Sequence, residues 1–487
     1  MQRCRHGHAL RPSQLEHRLH ILAVERCLQG HLIWLELIHQ RQHAIEDFLQ
    51  SQFVTFVFTQ LNHAKLQQRQ LAALRQDYTI SHHVGAGVEP ENNFFFGWFF
   101  LHFAGCQVTH KPDMEIFFLA VIALYVLLIL TLCFGWAQAQ EHEVVKVVDH
   151  HRFLSVVVPF RNEEQNIEAL VADLCAQQYP AAAFELIFVN DHSTDRSAEV
   201  LTRAISALPN TSFVSLTNTQ GKKAALTEGI GLARGEVVVT TDADCRFSAG
   251  WLACINRHFQ NSSTHAVVGA VKVMEQPNAW PRLQAMEQLS LVAVMAGSSG
   301  LGKPVLCNGA NFAFLKSTFH EVDGYAGNWH IASGDDEFLM RKILKAHPGS
   351  VHFMRDDASV VATHAQPSLH SFLQQRLRWA GKWRYNTSVV AKALAVVVLA
   401  VQLCFLSVMI GVLVGWLPAS LGLPLLAARF FVETLLLLPV ARFLRQPWRW
   451  RYFLALQFLY PLYVVAIGFA SQRAAAVWKG RRVNTTV

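Results

Sequence analysis

The apolar and polar positions divide the chain into blocks. Residues 116–136, IFFLAVIALYVLLILTLCFGW, carry no charge and are about long enough to cross a ~30 Å hydrocarbon core. The run exceeds the roughly 7–15-residue apolar part of a secretory signal, and no positively charged stretch leads into it. It therefore reads as an uncleaved anchor, although AQA at 137–139 resembles a cleavage site. From 143 to 385 the pattern changes. Short β-rich runs, LSVVVP, ELIFVND and EVVVTTDAD, alternate with helical stretches such as NEEQNIEALVADLCAQQ, which predicts βαβ units and a largely parallel sheet. From Lys392 the chain turns apolar again, with spans expected near 393–416, 421–440 and 452–470 and the arginine-rich link ARFLRQPWRWR at 441–451.

The predicted class is α/β, a domain with a mostly parallel central sheet at 143–385. An anchor at 114–137 precedes it, and a membrane region of about three helices at 391–471 and a basic tail at 472–487 follow. Basic links stay in the cytoplasm, which agrees with a cytoplasmic α/β domain followed by an out-and-back pair. The tail RAAAVWKGRRV fits this poorly, because a third span would carry it outside. Either the segment containing Pro461 is re-entrant or interfacial, or one boundary is misplaced.

Composition supports the membrane reading. Of 487 residues, 52% are apolar and 16% charged, against roughly 25% charged in soluble domains. The net charge of +7 would suit a nucleic-acid partner, but the basic residues near the C-terminus adjoin apolar runs, so membrane flanking is the simpler reading and no nucleic acid is expected. Nine cysteines without a CxxC pair or metal-ligand spacing read as reduced thiols of a cytosol-facing protein. Residues 1–113 hold 12 of the 24 histidines, irregularly spaced, and no motif with evident chemistry. They are either a helical extension or residues upstream of a start at Met114; the second reading is favoured.

Four clusters can carry chemistry. In VVVPFRNEE (156–164) a strand reaches Pro159 and breaks into a polar turn. Ligands of open α/β sheets bind beyond such strand ends, so Arg161, Asn162 and Glu163 can face one; a helix start with acids complementing its dipole fits equally. FVNDHSTD (188–195) puts Asp191 at a strand end, and Ser193, Thr194 and Asp195 can cap the next helix. In VVVTTDADC (237–245), Asp242 and Asp244 at i and i+2 of an extended segment point the same way. They repel unless a cation or donors lie between them. Mg²⁺ or Mn²⁺ takes one or two carboxylates plus phosphate oxygens and water, so a nucleotide diphosphate with a metal fits; an exposed acidic turn is the alternative. SGDDEFLMRK (333–342) sets Asp335 and Asp336 at a helix start, where acids need no catalytic role but can supply a general base.

In order along the chain, these stretches resemble glycosyltransferase family 2, the inverting sugar-nucleotide enzymes of GT-A fold, over roughly 150–385. VVVPFRNEE looks like the family's opening strand, and NDHSTD is similar to its DDxSxD segment with His192 at the second position. GKKAALTEGIGLARGE (221–236) resembles its GKxxAL helix and TDADC its DxD motif. NGAN (308–311) resembles its acceptor loop, GDD (334–336) its ED motif, and QRLRW (375–379) the QxxRW of membrane-bound members. Alone, QRLRW reads as a membrane-proximal basic aromatic helix with Trp379 and Trp383 at the interface.

The resemblance implies roles. Pro159, Arg161, Glu163, Asp191 and Lys222 would lie around the nucleoside, Asp242 on ribose, and Asp244 on a divalent cation, Mg²⁺ or Mn²⁺. Asp336 would be the general base with Asp335 as its substitute. Asn308, Gly309, Gln375, Arg378 and Trp379 would serve the diphosphate and acceptor. The implied donor is a nucleotide sugar, a UDP-sugar at family level, and the acceptor a lipid or glycan. The chemistry agrees: a cation-like sugar forms as the diphosphate leaves, the leaving group gains charge that a metal and an arginine stabilise, and the acceptor hydroxyl needs one base. With no second carboxylate as nucleophile, the anomeric centre inverts. The alternatives are a processive polysaccharide synthase, for which about three C-terminal spans are few, and a non-catalytic sugar-nucleotide-binding scaffold. Because sugar nucleotides are cytosolic, the expected location is a bacterial inner membrane, multi-pass, with the catalytic domain cytoplasmic.

Overall fold

The computed structural model describes residues 111–139, 150–329, 331, 334–381, 389–471, 476–478 and 481–483. The first 110 residues of the N-terminal extension, with all 12 of its histidines, lie outside the described residues, as do Trp383 and most of the basic tail.

A long helix, α1 (Lys111–Gln138), leads into the α/β domain. There follow β1 (Leu154–Phe160), α2 (Ile167–Cys175), β2 (Phe184–Asn190), α3 (Ser197–Ile205), β3 (Thr211–Ser215), α4 (Lys222–Leu232), β4 (Val237–Thr240), β5 (Cys245–Arg246) and α5 (Trp251–His258). Then come β6 (Ala266–Gly269), β7 (Val271–Val273), α6 (Ala279–Gly300), β8 (Phe312–Leu315), α7 (Lys316–Glu321), α8 (Asp335–Ala346), β9 (Val351–Met354), β10 (Val361–Thr363) and α9 (Leu369–Gly381). Three long helices, α10 (Val389–Leu413), α11 (Ala419–Phe443) and α12 (Trp450–Ala470), precede a short pair, β11 (Ala476–Trp478) and β12 (Arg481–Val483).

The seven-stranded sheet runs β3-β2-β1-β4-β8-β6-β9. All pairings are parallel except those of β8, antiparallel to both β4 and β6. Every residue of β1, LSVVVPF, is buried, as an inner strand covered on both faces must be. A small sheet, β5-β10-β7, stands beside the main one. One face of the main sheet packs on α2, α3 and α5 around Phe188, Leu170 and Trp251. The other face is continuous with the long helices: a single apolar cluster runs from Val157 and Val189 through α4 and α6 to Phe118, Phe405 and Val440.

Four helical stretches, Met114–Gln138, Ala395–Leu413, Ala419–Phe443 and Trp450–Ala470, are long and apolar enough to cross a membrane. Ile116, Leu127, Leu413, Phe431 and Phe458 stand exposed on them, the lipid-facing pattern expected of such helices. Helix α1 meets α6 backbone to backbone: a Cβ on Gly135 would lie 2.0 Å from the Gly297 carbonyl oxygen, and one on Gly300 1.9 Å from that of Gly135. Small residues permit such close approach. Arg355 then donates to the carbonyls of Trp136 (2.9 Å) and Ala139 (3.0 Å), satisfying acceptors at the end of α1.

The link between α11 and α12 is also tied to the α/β domain. Arg445 pairs with Asp357 and Arg449 with Glu275, Gln446 donates to the Val273 carbonyl (3.0 Å), and Lys272 donates to that of Leu444 (3.1 Å). Among the apolar helices, Glu433 accepts from Tyr125, from Arg429 (2.9 Å) and from Gln457 (2.8 Å), so this partly buried charge is paired.

Candidate active site

Strand β4 ends at Thr240, and its threonines fasten the loop before β8. Thr240 Oγ1 donates to the carbonyls of Gly309 (3.0 Å) and Phe312 (3.2 Å), and Thr241 Oγ1 to that of Ala310 (2.9 Å). The NGAN loop is thereby held against the carboxyl end of the parallel strands. Asp242 and Asp244 follow, but not as the extended pair the sequence suggested. The chain leaves the ladder and closes a turn, the Cys245 N–H meeting the Asp242 carbonyl at 3.3 Å. Asp242 Oδ1 meets Lys222 Nζ at 2.5 Å, Asp244 Oδ2 accepts from Thr363 Oγ1 at 3.3 Å, and both carboxylates act on Arg378.

Lys222, the first residue of α4, also lies 3.8 Å from Asp335 Oδ2. Burial acts to lower its pKa, but Asp242, Asp335 and Asp336 raise it further than burial lowers it, so the ammonium stays charged. Asp335 and Asp336 open α8, and Asp336 accepts the N–H groups of Gly309 and Glu337, each at 2.7 Å. Gly309 lies close against this group: a Cβ there would sit 3.3 Å from Asp335 Oδ2 and 3.4 Å from Lys222 Nζ. Arg378 on α9 completes the group. Burial lowers its pKa, while Asp242, Asp335, Asp336 and Asp244 act to raise it. Residues from four separate segments thus share one electrostatic site.

Among the described residues, four carboxylates face two cations there, a formal balance of −2. A diphosphate entering alone would be repelled. Among the described residues, no three His, Cys, Asp or Glu side chains gather into a cation cage. The surplus of carboxylates fits an ion that takes one or two protein carboxylates and completes its shell with phosphate oxygens and water.

The other residues expected around the nucleoside lie where β1 and β2 end. Pro159 sits in β1 beside Val189. Arg161 Nη1 donates to the carbonyls of Asp191 (2.8 Å) and His192, so part of its guanidinium braces the turn. Asn162 and His192 both have positive φ, 52° and 57°, and Asn162 Oδ1 accepts from the Thr194 N–H at 2.8 Å. Glu163 donates its N–H to Ser197 Oγ (2.7 Å) and accepts from Asn166 at its carboxylate (2.7 Å). Asp191 is 2% exposed, with His192 Nδ1 3.2 Å away. Asp195 accepts from the Ser197 and Glu164 N–H groups; burial raises its pKa, and these bonds together with the Ser197 hydroxyl lower it further. The two turns are therefore stapled to each other.

On the remaining side, Asn308 Oδ1 caps its own loop by accepting from the Ala310 N–H (3.1 Å). Gln375 Oε1 accepts from Arg376 (2.7 Å), and the Arg376 guanidinium lies over the Trp379 ring at 4.3 Å. Some supporting residues lay outside the sequence reading. Lys223 donates to the carbonyls of Asn328 (2.5 Å) and Ile331 (2.6 Å), holding the segment that leads to Asp335. Arg376 is paired with Glu287. A signal existed: Glu287 is the one acid in the 22 residues of α6, and a lone acid in an apolar helix asks for a partner.

Residues 155–344 match the family model described as glycosyl transferase family 2. They carry a glycosyltransferase domain. Its relatives bear the same kind of name. An N-acetylglucosaminyltransferase of Rhizobium meliloti is 28% identical over 236 residues, 47% of this chain and 54% of the relative. A beta-monoglucosyldiacylglycerol synthase of Nostoc is 30% identical over 146 residues, 28% of this chain and 30% of the relative. An undecaprenyl-phosphate 4-deoxy-4-formamido-L-arabinose transferase of Pectobacterium atrosepticum is 30% identical over 156 residues, 31% of this chain and 47% of the relative. The chain spans about half or less of the length of these relatives. In fold, the chain resembles a mannosyltransferase from Pyrobaculum calidifontis solved with GDP-Man and Mn²⁺. The TM-score is 0.50 at 18% identity, covering 73% of this chain and 96% of that one. The domain match and the relatives support a glycosyltransferase.

Proposed function

We propose that the chain is a membrane-bound, inverting glycosyltransferase that moves a sugar from a nucleoside-diphosphate sugar to a lipid or lipid-linked hydroxyl. The observation that carries this reading is the meeting of Lys222, Asp242, Asp335, Asp336 and Arg378 at the carboxyl end of β4. That edge of an open parallel sheet is where ligands bind. The helix of Arg378 packs on α12, which is long and apolar enough to cross a membrane, and two relatives carry diacylglycerol and undecaprenyl phosphate in their names.

In this mechanism Asp191 and Glu163 line the nucleoside end, and Asp242, held by Lys222, meets the ribose. Asp336 accepts the acceptor's proton as its oxygen attacks the anomeric carbon from the face opposite the diphosphate. Arg378 stabilises the charge gathering on the departing diphosphate, and Trp379 lies toward the acceptor. A divalent cation held with Asp244 would supply further neutralisation of that leaving group. The mannosyltransferase's GDP-Man and Mn²⁺ support a donor and an ion of this kind.

A screen of sugar nucleotides for diphosphate release by the purified chain tests the reading; release from none of them sinks it. Binding of UDP and GDP, followed by calorimetry with Mn²⁺ and with EDTA, tests the ion separately. In wild type, EDTA should weaken binding at least about tenfold, whereas Asp244→Ala should bind equally weakly in both. An Asp244→Ala protein that keeps a full response to Mn²⁺ removes Asp244 from the ion's site.

The same reading includes a membrane arrangement in which both ends of α12 lie on the side of the transferase domain. Arg449, just before α12, pairs with Glu275, and β11, just after it, packs on α9, the helix of Arg378. The five residues 471–475 between α12 and β11 reach at most roughly 20 Å, less than the ~30 Å core. This supports an interfacial or re-entrant α12 and a cytoplasmic tail. Green fluorescent protein fused after Val487 should fluoresce in a bacterial host; an active alkaline phosphatase fusion at the same point would put the tail outside.

A further inference from the structure

We infer that Glu287 is a positioning residue for Arg378, and that Tyr463 of α12 belongs to the same device. The inference rests on the function proposed above. Arg376 and Arg378 are two residues apart on α9, so about 200° of helical turn separates their side chains. Arg378 faces the carboxylates of Asp242, Asp244, Asp335 and Asp336. Arg376 turns the other way, into the junction with α6 and α12, where its Nε and Nη2 bind both oxygens of Glu287 at 3.1 and 2.5 Å. Both side chains are nearly fully buried, 8% and 3% exposed. The Phe372 and Trp379 rings flank the guanidinium at 4.4 and 4.3 Å, and the Tyr463 hydroxyl donates to Glu287 Oε1 at 2.8 Å.

Helix α6 grips the chain just before α9 as well. Gln284 accepts from the Gln366 N–H (2.9 Å) and donates to its carbonyl (3.0 Å), and Trp280 donates to that carbonyl too (2.8 Å). The segment is thus held at its entry by Gln284 and Trp280 and in mid-helix by Glu287. A two-pronged arginine–carboxylate pair fixes direction as well as distance, and here it fixes the rotation of α9 about its axis. That rotation decides whether Arg378 points at the diphosphate end of the site. Buried ion pairs add little net stability over apolar packing and are best attested as setters of register, which is the role assigned to this one. Through Tyr463, the seating of α12 beside the membrane enters the geometry of the transfer site.

The test compares wild type, Glu287→Gln, Arg378→Ala and their double variant, all as the full chain in lipid nanodiscs. Turnover is read as diphosphate release from whichever donor the wild type uses. Glu287→Gln should lower kcat about tenfold, as expected for a displaced catalytic group, with donor KM changed less than about twofold. In the Arg378→Ala background the same change should cost nothing further, because its effect runs through Arg378. Losses that multiply in the double variant, or an unchanged kcat in Glu287→Gln, overturn the inference. Tyr463→Phe removes a single hydroxyl and serves if Glu287→Gln does not fold. It should lower kcat about two- to threefold and likewise lose its effect beside Arg378→Ala; additive losses again overturn the inference. A wild type that turns over no donor defeats the transferase reading itself, a different outcome from an active wild type with an equally active Glu287→Gln.

Discussion

Asp336→Asn is expected to lower sugar transfer by about 10²- to 10⁴-fold, the usual contribution of a positioned general base, while binding of UDP or GDP with Mn²⁺ stays within about threefold of wild type. The structural reason is local. Both carboxylate oxygens of Asp336 accept backbone N–H groups, from Gly309 and Glu337, so the side chain is fixed in place, at the start of α8 and beside Lys222. Asparagine keeps the size but cannot take up the acceptor's proton. Asp335 leans instead on Lys222 at 3.8 Å, and Asp335→Asn should weaken donor binding more than turnover. Kinetics with saturating donor, beside calorimetry, separate the two. Wild-type turnover in Asp336→Asn together with its loss in Asp335→Asn would transfer the base role to Asp335.

Lys222→Met should have the next largest effect, because it removes a cation that lies between Asp242 and Asp335. Breaking a buried pair costs about 3–5 kcal/mol, but Lys222 is 21% and Asp242 38% exposed. Solvent screening reduces the expected loss to about 1–2 kcal/mol, a fall in Tm of roughly 3–6 °C. The pH dependence has a definite sign. The pKa of Lys222 is raised on folding, so its contribution is full below the ordinary lysine value of about 10.4 and is lost only as pH rises through the higher, folded value. The gap between wild type and variant should therefore stay flat from about pH 6 to 9. Melting curves at several pH values check this, and a gap that closes within that window would remove Lys222 from the role of charged partner.

The sheet was legible because its strands are buried on both faces. LSVVVP and ELIFVN are nearly continuous apolar runs, and in the fold they are the adjacent parallel strands β1 and β2. The carboxylates were legible as candidates for the same reason: a buried strand that breaks abruptly into Asp191 or Asp242 signals an edge. Their partners were not. Asp242 and Asp244 read as a pair in an extended segment, whereas the Cys245 N–H to Asp242 carbonyl contact puts them in a turn, with Lys222 and Thr363 as hydrogen-bond partners. Arg376 stood in plain view inside QRLRW, yet its partner Glu287 lies 89 residues away and Tyr463 lies 176 residues from Glu287. Such a contact depends on how α6, α9 and α12 cross, and no local periodicity encodes a crossing. The glycine contacts between α1 and α6 were hidden likewise, since each glycine alone reads only as a weak point in a helix.

Those glycine contacts join what is usually thought of as a tether to what is usually thought of as an enzyme. With Gly135 against Gly297, and Arg355 capping the end of α1, one face of the anchor packs into the domain, and the apolar cluster beneath the sheet continues into it without a break. Cutting the chain at residue 150 would not free a soluble catalyst; it would strip one wall from the core and leave α6 with a bare backbone face. The helix that is long and apolar enough to cross a membrane is thus also part of the packing on which the α/β domain rests.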